Sequence, residues 1–307
     1  MFACAQVSFV IRMLQLLIDY AIPAGLFLLM LIAGTEVRIA DVRKVAATPR
    51  ALALGSIGQL LALPMIALLI QALAQLSQVV ATSMLILALA PGGGISNYYS
   101  YVARCNVLLS AMITTSATLL ALVTIPSFIS LFPDLFGQTQ RVQEGAVRII
   151  LAQLFLLMVM PLLIGALLAN GFPTIVKKYG TSLRAISNLL VLSILLLAIW
   201  TTYPTLGSLL PEILSAAILF VVAAMLTGWL FGAGLNDDVR TVLVLESGTR
   251  NISVALLLGG IVFDTKSFPV FASFLTVYFA VELITMLIYA RGHGRRVELS
   301  CGTSERD

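Results

Sequence analysis

Nearly continuous apolar runs, each about as long as a membrane-spanning helix, cover most of the chain. A bilayer core about 30 Å thick requires roughly 20 apolar residues per helix. The runs also lack the period-two alternation of barrel strands. The pattern therefore predicts an all-α polytopic membrane protein with about nine transmembrane helices. The predicted spans are 14–34, 51–75, 79–103, 105–131, 147–170, 184–203, 211–233, 239–262 and 267–290.

Composition narrows the class of protein further. Of the 307 residues, 60% are hydrophobic and 10% are charged, whereas soluble domains carry roughly 25% charged residues. A chain this poor in charge cannot cover a water-exposed surface, which excludes soluble enzymes, disordered scaffolds and nucleic-acid binders. Cys4, Cys105 and Cys301 are too far apart to indicate a disulfide framework or a zinc site. The expected partner is the lipid bilayer, and no nucleic acid is expected.

The basic residues fall mainly on one side of the predicted membrane, as is typical of cytoplasmic loops. This distribution predicts a multi-pass protein of the inner (plasma) membrane, with the amino terminus outside and the carboxyl terminus in the cytoplasm. Residues 291–307 are then a basic cytoplasmic tail. The residues on the cytoplasmic side are Arg38, Arg43, Lys44, Arg50, Arg104, Lys177, Lys178, Arg184, Arg240, Arg291, Arg295, Arg296 and Arg306, and those on the other side are Arg141, Arg148 and Lys266.

The third span, 79–103, carries residues that break a helix at its middle. Pro91 removes a backbone donor, and each of the three glycines that follow it costs about 1 kcal/mol in a helix. Backbone that is not helical at this depth survives only where it lines a buried or watery cavity. The alternative is a loop between two short helices at the membrane edge, but the apolar arms are too short to span separately. We therefore predict an interrupted helix.

The eighth span, 239–262, carries polar residues near its midpoint. An ionisable side chain there costs roughly 2.5–3.5 kcal/mol and is a functional candidate by default. Glu246 and Arg250 are four residues apart, so an ion pair along one helix face is the structural alternative. That pair does not account for the rest of the polar cluster, which consists of Ser247, Gly248, Thr249 and Asn251.

The two interrupted spans occupy corresponding positions in the two halves of the chain, a pattern typical of a transporter binding site at the bilayer midplane. Each lies between two long apolar spans, which defines three-helix units at 51–131 and 211–290. The first unit starts in the cytoplasm and the second outside, so the repeats are inverted. We predict one transmembrane transporter domain over residues 1–307, with its remaining helices at 14–34 and 147–203.

Small polar side chains near the interruptions offer oxygen ligands for a hard monovalent cation. Ser96 and Asn97 follow the first interruption. Ser110 and Thr114, four residues apart in the next span, share one helix face. With freed carbonyls and Glu246 they form an oxygen cage suited to sodium or a proton. The alternative for the two hydroxyl groups is a bond back to their own helix.

Three motifs in register resemble the bile acid:sodium symporter family. The run APGGGISNYYSYVARCNVLLSAMITTSATLL, from Ala90 to Leu120, is similar to its first signature. LESGTRNISVALLL, from Leu245 to Leu258, resembles its second, and GQLLALPMIAL resembles its Gln-x-x-x-x-Pro element. The likeness extends over most of the chain. It implies a core domain that contains two crossed, broken helices, and a panel domain made from the remaining spans.

The resemblance also implies two sodium sites and a substrate site. The first sodium site falls on Ser96, Asn97, Ser110, Thr114 and Glu246. The second falls on Gln59, Glu246, Ser247, Thr249 and the position of Arg250, although Gln59 is equally well interpreted as a packing amide. An organic anion is expected between core and panel, at Gly94, Ile95, Asn251 and Arg250.

Arg250 departs from the family pattern, which commonly has glutamine at this position. A guanidinium cannot ligate sodium, and at 4 Å it repels the ion by about 4 kcal/mol for an effective dielectric near 20. One hypothesis is that the second site is lost or filled by Arg250 as a tethered cation, leaving one sodium ion or protons at Glu246 for coupling. The other is that Arg250 faces the substrate cavity and binds a carboxylate or sulfonate bidentately.

The leading functional hypothesis is symport of sodium with a small organic anion, a bile-acid-like carboxylate or sulfonate, by alternating access. Sodium is the coupling ion and no cofactor is expected. The runner-up is a sodium-independent or proton-coupled carrier or exporter on the same fold. A sensor would need a soluble signalling domain, for which the tail is too short. An intramembrane enzyme would need a catalytic pair such as Glu246 with Glu282, which lie in no proteolytic motif, so an enzyme is not expected.

Overall fold

The computed structural model describes residues 20, 22–36, 49–136, 152–153, 155–264 and 266–304, and all regular structure in these ranges is helical. The helices are α1 (Ile22–Glu36), α2 (Pro49–Ala74), α3 (Gln78–Leu89), α4 (Ile95–Val102), α5 (Val107–Leu131), α6 (Phe155–Gly171), α7 (Pro173–Phe231), α8 (Asp237–Gly248), α9 (Ile252–Val262) and α10 (Phe268–Ser304). Two of them contain π-helical turns, Gly58–Ala62 in α2 and Phe155–Val159 in α6.

Five segments of the described chain are long and apolar enough to cross a bilayer. They are Pro49–Ala74, Val107–Leu131, Gly207–Phe231, Asp237–Val262 and Phe268–Leu299. This confirms the predicted all-α, multi-pass class, while the number of nine spans stays a prediction. The first residues of the predicted spans 14–34 and 147–170 lie outside the described ranges, as do residues 305–307.

Both predicted interruptions are present. Helix α3 ends at Leu89 and α4 begins at Ile95, so Ala90–Gly94 separate them. Helix α8 ends at Gly248 and α9 begins at Ile252, with Thr249 and Asn251 in extended conformation between them. Each broken pair follows one long helix and precedes another, in the order α2, α3–α4, α5 and then α7, α8–α9, α10.

The boundary predicted between the spans 184–203 and 211–233 is wrong. Helix α7 runs without interruption over 59 residues, from Pro173 to Phe231, which corresponds to about 90 Å at 1.5 Å per residue. Pro204 and Pro211 each remove one intrahelical hydrogen bond, and a helix can continue past such a site with a bend. Among the residues that the structure describes, the part Gly207–Phe231 of this helix is a candidate span.

Helices α1 and α6 pack together at a pair of glycines. A Cβ atom added at Gly34 would collide with the carbonyl oxygen of Leu162, and one added at Gly165 would collide with that of Leu31. Small residues allow such close backbone approach between membrane helices. Helix α1 also contacts α7 and α9, so it connects the α6 side of the protein with the second broken pair.

The second broken pair lies at the centre of the helices. In an 18-residue apolar stretch of the span Asp237–Val262, 94% of the residues are buried inside the protein, and α8 contacts α2, α4, α5, α7 and α10. A segment so fully enclosed is shielded from lipid, which allows its polar residues to persist at membrane depth.

Residues 291–304, predicted as a basic tail, continue α10 rather than forming a separate segment. Glu298 forms an ion pair with Arg104 just after α4. The His293 Nδ1 lies 3.2 Å from the Thr241 Oγ1 of α8. The end of α10 is therefore fastened to one end of each broken pair.

Candidate functional site

The two interruptions touch each other through their backbones. The N–H of Asn251 donates to the carbonyl oxygen of Pro91 at 2.9 Å. A Cβ atom added at Gly93 would lie 2.7 Å from the carbonyl oxygen of Arg250. Glycine is therefore required at position 93 because the backbone of Arg250 approaches it closely, in addition to any local preference for a turn.

Gln59 links the first interruption to the second. Its Oε1 accepts a hydrogen bond from the Gly92 N–H at 2.8 Å, and its Nε2 donates to the Glu246 Oε2 at 3.2 Å. The residue lies in the π-helical turn Gly58–Ala62, five residues before Pro64. A π turn accommodates the missing proline donor and redirects nearby side chains. In this arrangement Gln59 is a bridging amide between the two interrupted helices.

The Glu246 carboxylate is the centre of the site and is 0% exposed. Its Oε1 accepts hydrogen bonds from the Ser96 and Ser110 hydroxyls, both at 2.5 Å. The Thr114 Oγ1 lies 3.1 Å from the same atom and 2.9 Å from the Glu246 Oε2. Three separate helices, α4, α5 and α8, thus place hydroxyl groups and a carboxylate within hydrogen-bond distance of one another.

The five residues expected at the first sodium site come together. Besides the contacts above, the Ser110 Oγ lies 2.9 Å from the Asn97 Oδ1. All five ligating groups are oxygens, which is the chemistry that hard monovalent cations prefer. Within the described residues no group of three His, Cys, Asp or Glu side chains is placed to hold a metal ion.

The residues expected at the second sodium site are engaged in other contacts. The Thr249 hydroxyl donates to the Leu245 carbonyl at 2.7 Å, and the Ser247 carbonyl accepts from Arg250 at 2.9 Å. Gln59 and Glu246 share the direct hydrogen bond described above. Arg250, the fifth of these residues, donates to the backbone carbonyls of Glu246 and Ser247.

The Arg250 guanidinium lies between the ends of two half-helices and is 1% exposed. Its Nη1 donates to the Ala90 carbonyl at 3.1 Å, and its Nη2 donates to the carbonyls of Glu246 and Ser247, each at 2.9 Å. A guanidinium at helix carboxyl ends is favoured by the helix dipole. This geometry favours the tethered-cation hypothesis over a side chain that faces the substrate cavity.

The ion pair proposed as the structural alternative is not the contact that forms. Arg250 bonds to the backbone carbonyl of Glu246, whereas the Glu246 carboxylate accepts from the hydroxyls of Ser96 and Ser110. The spacing of four residues therefore correctly predicts that Glu246 and Arg250 are close. Because the helix ends at Gly248, the guanidinium contacts the backbone carbonyl of Glu246 and not its carboxylate.

The residues expected to contact an organic anion lie at the starts of α4 and α9. Gly94 is exposed and Ile95 is half-buried. Asn251 is 7% exposed and its Oδ1 caps α9 by accepting from the Val254 N–H at 3.1 Å. These residues adjoin the oxygen cluster because Asn251 bonds directly to the first interruption.

Two residues of this region were not among the binding-site residues expected from the sequence. The Tyr278 hydroxyl donates to the Gly248 carbonyl at 3.0 Å, and the Glu282 Oε2 accepts from the Arg250 N–H at 3.4 Å. Both lie on α10, four residues apart, and both are 0% exposed. Two polar residues on one face of an otherwise apolar span were the available signal.

Comparison with known proteins gives a consistent set of relatives. The chain is 29% identical to the probable chloroplastic sodium/metabolite cotransporter BASS2 of Oryza sativa subsp. japonica, over 76% of this chain and 55% of that protein. It is 28% identical to sodium/bile acid cotransporter 4 of Mus musculus, over 66% of this chain and 47% of that protein. It is 21% identical to the hepatic sodium/bile acid cotransporter of Rattus norvegicus, over 86% of this chain and 73% of that protein.

The chain spans about half the length of the first two of these curated relatives. All three are named as cotransporters and none as an enzyme. The family model described as the sodium bile acid symporter family matches residues 23–209. Because this segment is more than half of the 307 residues, the chain belongs to the sodium bile acid symporter family.

Proposed function

We propose that this protein is a sodium-coupled transporter of a small organic anion, with Glu246 and its surrounding oxygens as the sodium site. The observation that carries the proposal is the buried Glu246 carboxylate, which lies within 2.5–3.1 Å of the hydroxyl groups of Ser96, Ser110 and Thr114. A fully buried carboxylate needs a compensating cation or a proton. An all-oxygen set suits sodium.

Coupling follows from the position of this carboxylate. A sodium ion at Glu246 joins α4, α5 and α8, and thereby fixes the two interruptions against each other. The amino-terminal ends of α4 and α9, which begin at Ile95 and Ile252, carry partial positive charge that favours an adjacent anion. The cation therefore organises the place where the anion binds, and the loaded protein moves between outward-facing and inward-facing states.

The names of the relatives support the substrate class. Two are sodium/bile acid cotransporters and one is a sodium/metabolite cotransporter. A bile-acid-like carboxylate or sulfonate, near Gly94, Ile95 and Asn251, is the corresponding substrate here. The distribution of the basic residues supports a location in the inner (plasma) membrane with the amino terminus outside and the carboxyl terminus in the cytoplasm.

The test is uptake of a labelled conjugated bile acid into proteoliposomes, driven by an inward sodium gradient and compared with choline. Thr114→Ala removes a hydroxyl that touches Glu246, while Thr115→Ala removes a neighbouring hydroxyl that donates to its own helix at Ala111. Hydrogen bonds to charged groups contribute about 1.5–3 kcal/mol. Thr114→Ala should therefore raise the half-saturating sodium concentration about tenfold or more, since 1.4 kcal/mol is a factor of ten.

Thr115→Ala should leave the sodium dependence unchanged. Equal uptake in sodium and choline would overturn the sodium-coupled assignment. If that uptake instead follows an imposed pH gradient, the proton-coupled carrier becomes the function, because a buried Glu246 with hydroxyl partners is also able to carry a proton.

A further inference from the structure

Three ionisable side chains are buried where the two interruptions touch each other, and acids outnumber bases among them. Among the described residues, Glu246, Arg250 and Glu282 are the only buried Asp, Glu, Lys or Arg side chains, with exposed fractions of 0%, 1% and 0%. Two are acids and one is a base. If all three are ionised, the buried site carries one net negative charge.

The single base is held where a cation would otherwise bind. The three carbonyl groups that receive the Arg250 guanidinium belong to Ala90, Glu246 and Ser247, at the carboxyl ends of α3 and α8. Carbonyls at such half-helix ends are cation ligands in transporters. Arg250 therefore satisfies them with a charge that cannot leave the protein.

Glu282 is the second acid of this site, although its helix is remote in sequence. Its Oε2 lies 3.4 Å from the Arg250 N, and the adjacent Tyr278 hydroxyl bonds to Gly248, two residues before Arg250. The Glu282 Oε1 is buried and has no hydrogen-bond partner within the described structure. A buried carboxylate that is incompletely hydrogen-bonded depends on nearby positive charge.

We infer that Arg250 and Glu282 form a built-in charge pair that sets the number of coupling cations at one. Arg250 acts as the fixed second cation and Glu282 is its counter-charge, which leaves only Glu246 to be neutralised by a mobile ion. The inference rests on the proposed function, because it specifies how many sodium ions that same site accepts. A net charge buried away from water is strongly unfavourable, so with both carboxyl groups ionised, charge balance gives a count of one sodium ion.

Charge balance gives a different sodium count for each variant. Arg250→Gln leaves two acids and no base, so two sodium ions bind. Glu282→Gln leaves Glu246 balanced by Arg250, so sodium binding weakens at least tenfold. The double variant Arg250→Gln with Glu282→Gln leaves one acid and returns the count to one.

The experiment is equilibrium binding of radioactive sodium to purified full-length protein in detergent, with the number of ions per protein as the readout. Thermal unfolding in choline and in sodium checks the fold of each variant. At saturation the wild type should bind one ion, Arg250→Gln two and the double variant one, while Glu282→Gln should need at least ten times more sodium than the wild type for the same occupancy.

Variants that keep the charges separate electrostatics from shape. Arg250→Lys and Glu282→Asp should each retain one sodium ion, because the net charge is unchanged. If Arg250→Gln does not fold, the same test is made by comparing sodium binding by Glu282→Gln with sodium binding by two other proteins. These are Glu282→Asp and the double variant.

The outcomes distinguish this inference from the function it rests on. No sodium binding by the wild type contradicts the proposed sodium coupling. One ion for the wild type, with one ion also for Arg250→Gln or unchanged binding in Glu282→Gln, overturns the charge pair and leaves the sodium site intact.

Discussion

Both interruptions break a membrane helix, but the causes of the two breaks differ. The first, between Leu89 and Ile95, consists of Ala90 followed by Pro91 and three glycines. Proline and glycine disfavour a helix wherever they occur, so this interruption follows from local chemistry. The glycines also allow the second interruption to pack closely, because a side chain at Gly93 would collide with the backbone of Arg250.

The second interruption, between Gly248 and Ile252, contains neither proline nor glycine, and its extended residues include Thr249 and Asn251. Its backbone groups are bonded to distant parts of the chain. The Asn251 N–H donates to the Pro91 carbonyl, and the Gly248 carbonyl accepts from the Tyr278 hydroxyl. In addition, the Arg250 guanidinium donates to the Ala90 carbonyl. A helix can thus be opened by its own residues or by tertiary partners that replace its hydrogen bonds.

The continuous helix α7 sharpens this contrast. It contains Pro204, Gly207 and Pro211, yet it is unbroken from Pro173 to Phe231. Scattered prolines remove single hydrogen bonds and allow a helix to continue. An interruption therefore requires either several helix-disfavouring residues in succession or partners that capture the freed groups.

Removing the Arg250 guanidinium should have the largest effect on this arrangement. Arg250→Met leaves the carbonyls of Ala90, Glu246 and Ser247 without these donors and Glu282 without a counter-charge. Removing one of the buried charges leaves the remaining charge uncompensated, which costs about 3–5 kcal/mol. We expect a loss of that size in the free energy of unfolding, measured in mixed detergent micelles.

Arg295→Met is the matched control, because Arg295 is exposed on α10, and it should change stability by less than about 0.5 kcal/mol. Equal stabilities for the two variants would show that tertiary capture by Arg250 is unimportant for the second interruption.

Pushing the two interruptions apart should have an intermediate effect. In Gly93→Ala the new methyl group would lie 2.7 Å from the Arg250 carbonyl oxygen, so one backbone must move. Overpacking of this kind costs about 1–3 kcal/mol. The unfolding free energy should fall accordingly.

Gly94→Ala is the control for this variant. Gly94 is the N-cap of α4 with φ of −59°, and an added Cβ there meets nothing within 4 Å. Were Gly94→Ala as damaging as Gly93→Ala, the role of these glycines would be local conformational freedom and not contact between the interruptions.

Deleting one hydrogen bond at the second interruption should have the smallest effect. Tyr278→Phe removes the donor to the Gly248 carbonyl, and a typical net hydrogen bond contributes about 1 kcal/mol. Tyr101→Phe makes the same chemical change at a side chain that is 72% exposed. The difference between the two unfolding free energies measures the bond, and a difference of zero would remove Tyr278 from the set of tertiary partners.

The site residues were partly predictable because several of them are local in sequence. Pro91 and the glycines after it, the spacing of Ser110 and Thr114, and the polar cluster at Glu246 each stand out from an apolar background. Hydrophobic runs and positive charges likewise predict the membrane class, since insertion into lipid depends on local composition. The family resemblance added the grouping of these motifs into one site.

Other features depend on which segments meet in space. The sequence alone left Arg250 with two possible directions and Glu282 with no role, because neither residue's neighbours are near it in the chain. It also predicted a loop within α7, where the backbone instead stays helical.

The sequence by itself determined that this protein is helical, membrane-embedded and open at two polar points. Only the tertiary structure decided that the Arg250 guanidinium donates to backbone carbonyls of both broken helices and that the Glu282 carboxylate lies beside the Arg250 backbone N–H. The physical reason is that helix formation and membrane insertion follow local residue preferences. The pairing of buried charges depends instead on distances between helices that are far apart in the chain.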